Sequence, residues 1–174
     1  WTAARTVEPS NPPPPVALAA AQVVALCWRG FEERIGRDQR AMLGAVIPAL
    51  ERDGLALVLI GSTDRRVIDA NAVLPRISGL PEAMLRERRL ALLTCAESDP
   101  DQLGKLYAAI AAGSELRGEI CWCRADGARF WFGFTVIPLG EVAGEGPAVL
   151  LMGRDITHRR RREREEATVT AVLA

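Results

Sequence analysis

The residues best suited to chemistry in this sequence are four cysteines and one histidine, Cys27, Cys95, Cys121, Cys123 and His158. Thiolates and imidazoles are the usual ligands of zinc, but a structural zinc site needs four of them at characteristic spacings. The cysteines form no CxxC pair, and a single histidine is available to complete a set. We therefore predict no metal site and reduced thiols, as is usual in the cytoplasm.

Cys121 and Cys123 flank Trp122 in a segment of strand-like composition, so both thiols should point to the same face of one strand. Their Cβ atoms would lie about 7 Å apart, too far for an unstrained disulfide between them. Two thiols alone also fall short of a metal site. We interpret this pair as core or interface packing.

The remaining polar residues do not combine into a catalytic set. The sequence has no nucleophile with an adjacent base and no phosphate-binding loop, and one histidine offers little general-base capacity. Basic and acidic residues both number 22, so no broad basic field favours direct nucleic-acid binding. The longest apolar stretch, residues 16–28, is shorter than the roughly 20 residues of a membrane-spanning helix. We predict a cytoplasmic protein that is not an enzyme.

The first 52 residues are predicted to contain a linker and a helical segment. Prolines at 12–15 end an extended linker over residues 1–15. Ile35, Leu43 and Ile47 belong to an apolar stripe at helical spacing, which predicts an amphipathic, dimerising helical segment within 16–52. Because the sequence opens on a tryptophan, we expect it to be part of a longer protein.

The apolar pattern changes after residue 52, and one domain is predicted over 53–157. Its elements are a hairpin, several short helices, one longer helix and three antiparallel strands, at 55–68, 70–93, 99–112, 116–124, 128–139 and 147–156. Asp99 or Asp101 should cap the longer helix, and Gly113 should end it. The charged segment 158–174 predicts a final helix that leaves the domain.

This order of elements resembles a PAS domain, and local motifs strengthen the resemblance. Residues 67–71 (VIDAN) resemble the second strand entering the first short helix, and residues 78–82 (SGLPE) resemble the turn that follows. Residues 124–127 (RADG) look like the turn between the third and fourth strands, and 153–157 (GRDIT) like the C-terminal signature. The resemblance implies an α+β fold: a five-stranded antiparallel sheet with short helices on one face, an N-terminal amphipathic helix and a C-terminal exit helix.

The middle of the chain is most similar to light-oxygen-voltage (LOV) domains, a PAS subfamily that binds flavin. An ungapped match places Leu90 at the position of the adduct cysteine and Ala91 at that of the phosphate-contacting arginine. Trp122, Phe132 and Gly153 stand where the subfamily has polar flavin contacts. We therefore expect no photoadduct chemistry and no flavin. A flavin-binding redox or light sensor is the less favoured alternative.

Alternation along the last strands separates two faces of the sheet. The face that the resemblance makes concave is almost wholly apolar and aromatic. We interpret it as core, with a closed pocket for an unknown apolar small molecule as the alternative. The candidate pocket residues are Leu90, Ala91, Ile120, Trp122, Phe132, Phe134, Leu151 and Gly153.

The opposite face is also apolar, because it carries Trp131, Ile137 and Met152. Such a surface should be covered in the folded protein. The helical segment that contains Ile35, Leu43 and Ile47 is the predicted cover, supplied by the same chain or by a second copy. We expect a homodimer formed through this helix.

Asp155, Ile156 and Thr157 are predicted to form a signal joint between the last strand and the exit helix. The oxygens of Asp155 and Thr157 can accept hydrogen bonds from the first free amides of that helix. Further along, Arg159, Arg161 and Arg162 should pair with the glutamates four residues later, at 163, 165 and 166.

The resemblance implies a sensory or regulatory module without catalysis of its own. The state of the pocket or dimer would reach an output domain of the parent protein through the exit helix. In PAS proteins that domain is a kinase, a cyclic-dinucleotide enzyme or a DNA-binding domain. The alternative function is a ligand-free dimerisation scaffold.

Overall fold

The computed structural model describes residues 48–87, 89–142 and 145–173. The predicted linker and Ile35, Leu43 and Ile47 lie outside these ranges. The described part begins with helical residues 48–52. The elements that follow are β1 Ala56–Gly61, β2 Val67–Ala70, α1 Val73–Ser78, α2 Glu82–Glu87, a 3-10 helix Leu90–Leu93, α3 Pro100–Ala112, β3 Leu116–Cys123, β4 Arg129–Val142, β5 Gly146–Asp155 and α4 Thr157–Leu173.

The strands form one antiparallel sheet in the order β2-β1-β5-β4-β3. β1 and β5 therefore lie side by side at the centre, although the helices and the β3–β4 hairpin separate them in sequence. The predicted α+β fold with its five-stranded antiparallel sheet is confirmed. β4 runs three residues further than predicted, to Val142, because it stays paired with β5 beyond an irregularity between Pro138 and Gly140.

Helix α3, the longest of the described helices that lie between strands, begins and ends at the residues that the sequence indicated. The Asp99 side chain accepts a hydrogen bond from the Asp101 amide, and Pro100 occupies the first turn. Gly113 adopts a left-handed conformation with φ 59°, and its amide bonds back to the last turn. Leu106 and Ile110 pack from this helix against the sheet.

One face of the sheet, which we call the inner face, packs against the helices and forms the main core. Trp122, Phe130 and Phe132 are fully buried there. The Trp122 and Phe132 rings stack with centroids 5.0 Å apart, and Phe130 meets Trp122 edge-on. The inner face is therefore held together by aromatic packing between neighbouring strands.

The other, outer face carries a smaller apolar cluster. Leu57, Ile137 and Leu150 are buried there, with Met152, Leu50 and Leu55 packed against them. Leu50 belongs to the helical residues 48–52, so the end of the predicted helical segment lies on this face. In the part of the chain that the structure describes, no helix has both the length and the apolar character needed to cross a bilayer.

Candidate functional site: the joint between sheet and exit helix

The joint, Asp155 to Thr157, is bonded to β4 as well as to its own strand. The Ile156 amide donates to the Trp131 carbonyl at 2.8 Å, and the Thr157 hydroxyl accepts from the Trp131 amide at 2.9 Å. Asp155 Oδ1 accepts from the Thr157 amide at 2.9 Å, as predicted. Thr157 differs from its prediction, because its hydroxyl bonds to β4 and not to a helix amide. One residue of β4 thus fixes the first residues of α4.

Arg124 connects the joint to the end of β3. Its Nη2 lies 2.8 Å from Asp155 Oδ2, and its Nη1 donates to the Ile77 carbonyl at the end of α1. The guanidinium also lies over the Phe130 ring, 5.0 Å from the centroid. Sequence reasoning assigned Arg124 only to a turn, because nothing in the local motif reveals partners more than thirty residues away.

Glu119 of β3 holds the first turn of α4 against the outer face. Its carboxylate pairs with Arg159 and also with Arg160, whose Nε lies 2.9 Å from Oε2. The Arg160 guanidinium lies 3.8 Å from the Trp131 ring centroid, a cation–π geometry. Trp131, predicted to belong to a dimer face, is therefore covered by the exit helix of its own chain.

The predicted pairing within α4 is confirmed at one position only. Arg159 lies 3.5 Å from Glu163. Among the described residues Arg161 and Arg162 form no ion pairs with Glu165 and Glu166, so that part of the prediction was wrong. At the start of the helix, Arg159 and Arg160 both pair with Glu119 of the sheet.

Two open clefts flank the joint on the outer face. One, of about 530 Å³, lies beside Glu119, Met152, Ile156 and Arg159. The other, of about 210 Å³, is lined by Cys121, Trp131 and four arginines of β4 and α4. These arginines are Arg129, Arg160, Arg161 and Arg164. The joint is therefore accessible from the side that the helices of the core leave uncovered.

The candidate pocket residues, apart from Ala91, come together on the inner face. Leu90, Ile120, Trp122, Phe132, Phe134 and Leu151 belong to the main core cluster, and Gly153 is buried beside them. The Phe132 ring fills the space next to Gly153, since a Cβ added there would overlap it. Ala91 is exposed on the 3-10 helix and adds no space to the core. Trp122 Nε1 is buried and has no hydrogen-bond partner among the described residues.

The cysteines correct one expectation. Cys95 and Cys123 form a disulfide, with Cα atoms 5.8 Å apart, so the prediction of reduced thiols was wrong for this pair. Cys121 is free and buried. Burial raises the pKa of its thiol, against a smaller opposing effect of Arg129. The partner of Cys123 lies 28 residues away in a loop, where strand alternation could not reveal it.

Comparison with known proteins identifies the fold family. A family model described as PAS fold matches residues 50–161, more than half of the chain. No curated protein was found to match the sequence.

Several solved structures are similar. A LOV domain from the blue-light activated histidine kinase of Erythrobacter litoralis EL346 aligns at 23% identity over 59% of this chain and 96% of that one, with a TM-score of 0.53. The PAS domain of the fruit-fly ELK potassium channel aligns at 17% identity over 67% and 98%, with a TM-score of 0.56. An RNA-binding light-oxygen-voltage receptor aligns at 23% identity over 81% and 40%, with a TM-score of 0.62.

At these identities the structural likeness shows the fold and leaves ligand and output open. The family model, the strand order and the motifs at the turn and joint agree with one another. This chain belongs to the PAS family, the sensory modules of signal transduction, and its likeness extends to LOV domains.

Proposed function

We propose that this chain is a sensory or regulatory module that passes a change in its sheet to an output domain through α4. One observation carries this assignment. On β4, Phe132 packs in the aromatic core, while the backbone of its neighbour Trp131 bonds to Ile156 and Thr157. Phe132 also stands directly opposite Asp155 in the β4–β5 register. A shift of β4 in the core must therefore move or break the bonds that hold the exit helix.

The contacts that hold α4 are of a kind that can be released without unfolding the sheet. Glu119, Arg159 and Arg160 are at least partly exposed, and exposed ion pairs contribute roughly 0.2–1 kcal/mol each. The aromatic side chains of the inner face are fully buried, and opening them costs several times more. An input that displaces β4 slightly would thus loosen the helix before it disturbs the core.

Hydrogen exchange in two core variants tests the coupling. Phe132→Leu perturbs β4 next to the joint, whereas Ile110→Ala perturbs the same core from α3. The two proteins are compared at denaturant concentrations that give equal global stability. The proposal expects faster exchange of the Arg160 amide, which bonds to Ile156, in Phe132→Leu alone. Equal exchange in both variants would contradict the coupling.

The output is proposed from the family resemblance: a kinase, a cyclic-dinucleotide enzyme or a DNA-binding domain of the parent protein. Val169 and Val172, which are exposed near the end of α4, are the proposed contacts for such a partner. No catalytic role is proposed for the chain. A cytoplasmic location remains a prediction, and the Cys95–Cys123 pair is the group that a reducing compartment would change.

The inner face is proposed to work without flavin. Trp122 and Phe132, which stand where the LOV resemblance has polar flavin contacts, stack on each other, and the candidate lining residues are nearly all apolar. A polar isoalloxazine would leave its hydrogen-bonding groups unsatisfied there. The absorbance spectrum of freshly purified protein should lack a flavin band. An apolar small molecule is the alternative, and solvent extraction followed by mass spectrometry would find it.

A ligand-free dimerisation scaffold is the second candidate function. The observation behind a homodimer is that the predicted helical segment ends on the outer face, where Leu50 packs on Leu57, Ile137 and Leu150. A fungal blue-light photoreceptor of similar fold, with 19% identity and a TM-score of 0.52, was solved as a light-state dimer. Leu50→Glu should convert a dimer to a folded monomer in sedimentation equilibrium. An unchanged mass would count against this interface.

A further inference from the structure

Three side chains with metal-binding chemistry meet at the end of β3, outside the joint. Cys95 and Glu97 lie in the loop between the 3-10 helix and α3, and Cys123 is the last residue of β3. One ligand atom from each lies within 4.8 Å of the other two. Sequence spacing gave no sign of this cluster, because the fold brings its two parts together.

We propose that the reduced form of this cluster binds a zinc-class divalent ion through the two thiolates of Cys95 and Cys123 and the carboxylate of Glu97. Thiolate and carboxylate donors suit this class of metal, and three protein ligands leave the fourth position to water. The disulfide form is unable to bind the ion in this way, since neither sulfur is then a thiolate.

The interconversion balances with an external dithiol as reductant. The dithiol supplies two electrons and two protons, which cleave the bond between Cys95 and Cys123 into two thiols, and becomes a disulfide itself. Metal binding then displaces the two thiol protons to solvent as both sulfurs become thiolates. No other co-reactant is required.

After reduction the sulfurs must move apart, but the ligand atoms can stay within their present span. Cleavage of the disulfide lets the two bonded sulfurs separate. With metal–sulfur bonds of about 2.3 Å, tetrahedral sulfurs stand about 3.8 Å apart, a separation that stays within the 4.8 Å span of the three ligand atoms. Ser98 keeps the loop in place without the disulfide, because its hydroxyl accepts from the Cys95 amide at 3.1 Å and donates to the Cys121 carbonyl at 2.6 Å. The donors therefore stay together when the sulfur–sulfur bond is cleaved.

Cys121 provides a matched control within the same strand. It lies two residues before Cys123 and carries the same thiol, but it is not one of the three clustered ligands. Replacing Cys121 by serine removes one thiol from the same strand and leaves the three proposed ligands in place. The site is also placed to affect the joint, since Cys123 precedes Arg124, which pairs with Asp155.

The test uses cobalt(II) and zinc(II) added to the full chain, with Cys27→Ser in every variant. The reduced parent should bind one equivalent of cobalt and show a thiolate-to-cobalt charge-transfer absorbance band. Added zinc should replace the cobalt and abolish this band. Cys95→Ser and Cys123→Ser should lose the band, and Cys121→Ser should keep it. Glu97→Gln should weaken binding by at least about tenfold. The oxidised parent should show no band.

Three results would overturn the assignment: no band in the reduced parent, loss of the band in Cys121→Ser, or unchanged affinity in Glu97→Gln. Circular dichroism of each variant separates loss of a ligand from loss of the fold. A serine variant that fails to fold is replaced by alanine at the same position.

Discussion

The inner core and the joint meet on β4, yet different kinds of contact stabilise them. Beside Phe132 the inner face is buried and aromatic, with Trp122 and Phe130 fully buried. One residue away, Trp131 is half-buried beneath the Arg160 guanidinium, which also forms an ion pair with Glu119. On β4, Phe132 thus belongs to the close-packed core, and its neighbour Trp131 belongs to the joint, whose ion pairs can be broken at lower cost.

This difference indicates where the molecule can change state at low cost. Close-packed aromatic rings resist small displacements, because a shift of any ring leaves voids or overlaps. Half-exposed ion pairs exchange their partners for water with little loss of free energy. The core therefore defines the position of β4, and the joint responds to that position.

The largest effect is expected from removing the central ring of the core. Phe132→Ala should lower the free energy of unfolding by about 3–5 kcal/mol, because it removes the stacking partner of Trp122 and leaves a cavity. Urea denaturation followed by fluorescence measures the loss. A loss below about 1 kcal/mol would mean that the site collapses easily, which would break the contrast between the two regions.

A smaller effect should follow from adding one methyl group beside that ring. In Gly153→Ala the new Cβ would lie 2.6 Å from the Gly133 carbonyl oxygen and would overlap the Phe132 ring. We expect a destabilisation of about 1–3 kcal/mol by thermal or urea unfolding. Gly104→Ala is the matched control, since nothing lies within 4 Å of its Cβ. It should leave stability unchanged or raise it; equal losses would disprove the overlap.

At the joint, Asp155→Ala should cost about 0.5–2 kcal/mol, because the Thr157 amide loses its acceptor and Arg124 its partner. Asp155→Asn keeps an acceptor oxygen and should recover part of this loss. Chemical denaturation of both variants separates the hydrogen bond from the ion pair. If alanine and asparagine are equally destabilising, the ion pair with Arg124 accounts for the whole contribution.

The smallest effect on stability, with a clear effect on motion, is expected from Glu119→Gln. It removes the charge that holds Arg159 and Arg160 and should cost less than about 1 kcal/mol. Nuclear magnetic resonance relaxation should nonetheless show a more mobile first turn of α4. Glu115→Gln, whose partner Arg117 is 3.8 Å away and exposed, is the control. If the first turn of α4 is equally mobile in both variants, Glu119 does not hold this helix to the sheet.

The sequence predicted features that depend on neighbours along the chain. Strand alternation placed Trp122 and Phe132 on one face and Trp131 on the other, and local capping rules placed Asp99 and Gly113. These features follow from the period of a strand and from the first and last turns of a helix.

Contacts between distant segments were not predictable in this way. Three such contacts each join residues 28 or more positions apart. They are the Cys95–Cys123 disulfide, the Arg124–Asp155 ion pair and the Glu119–Arg160 ion pair. Their partners depend on strand order and register, which a single sequence does not specify. The filling of the space at Gly153 by Phe132 likewise follows from the β4–β5 register.

Native-state hydrogen exchange of the unmodified chain tests the central claim most directly. The Arg160 amide, which bonds to Ile156 across the joint, is compared with the Leu150 amide at the centre of the sheet. If α4 is released independently, Arg160 opens at a lower free energy and with little dependence on denaturant. If both amides open with the same free energy and the same denaturant dependence, α4 leaves the sheet only when the whole domain unfolds, and the joint is no switch.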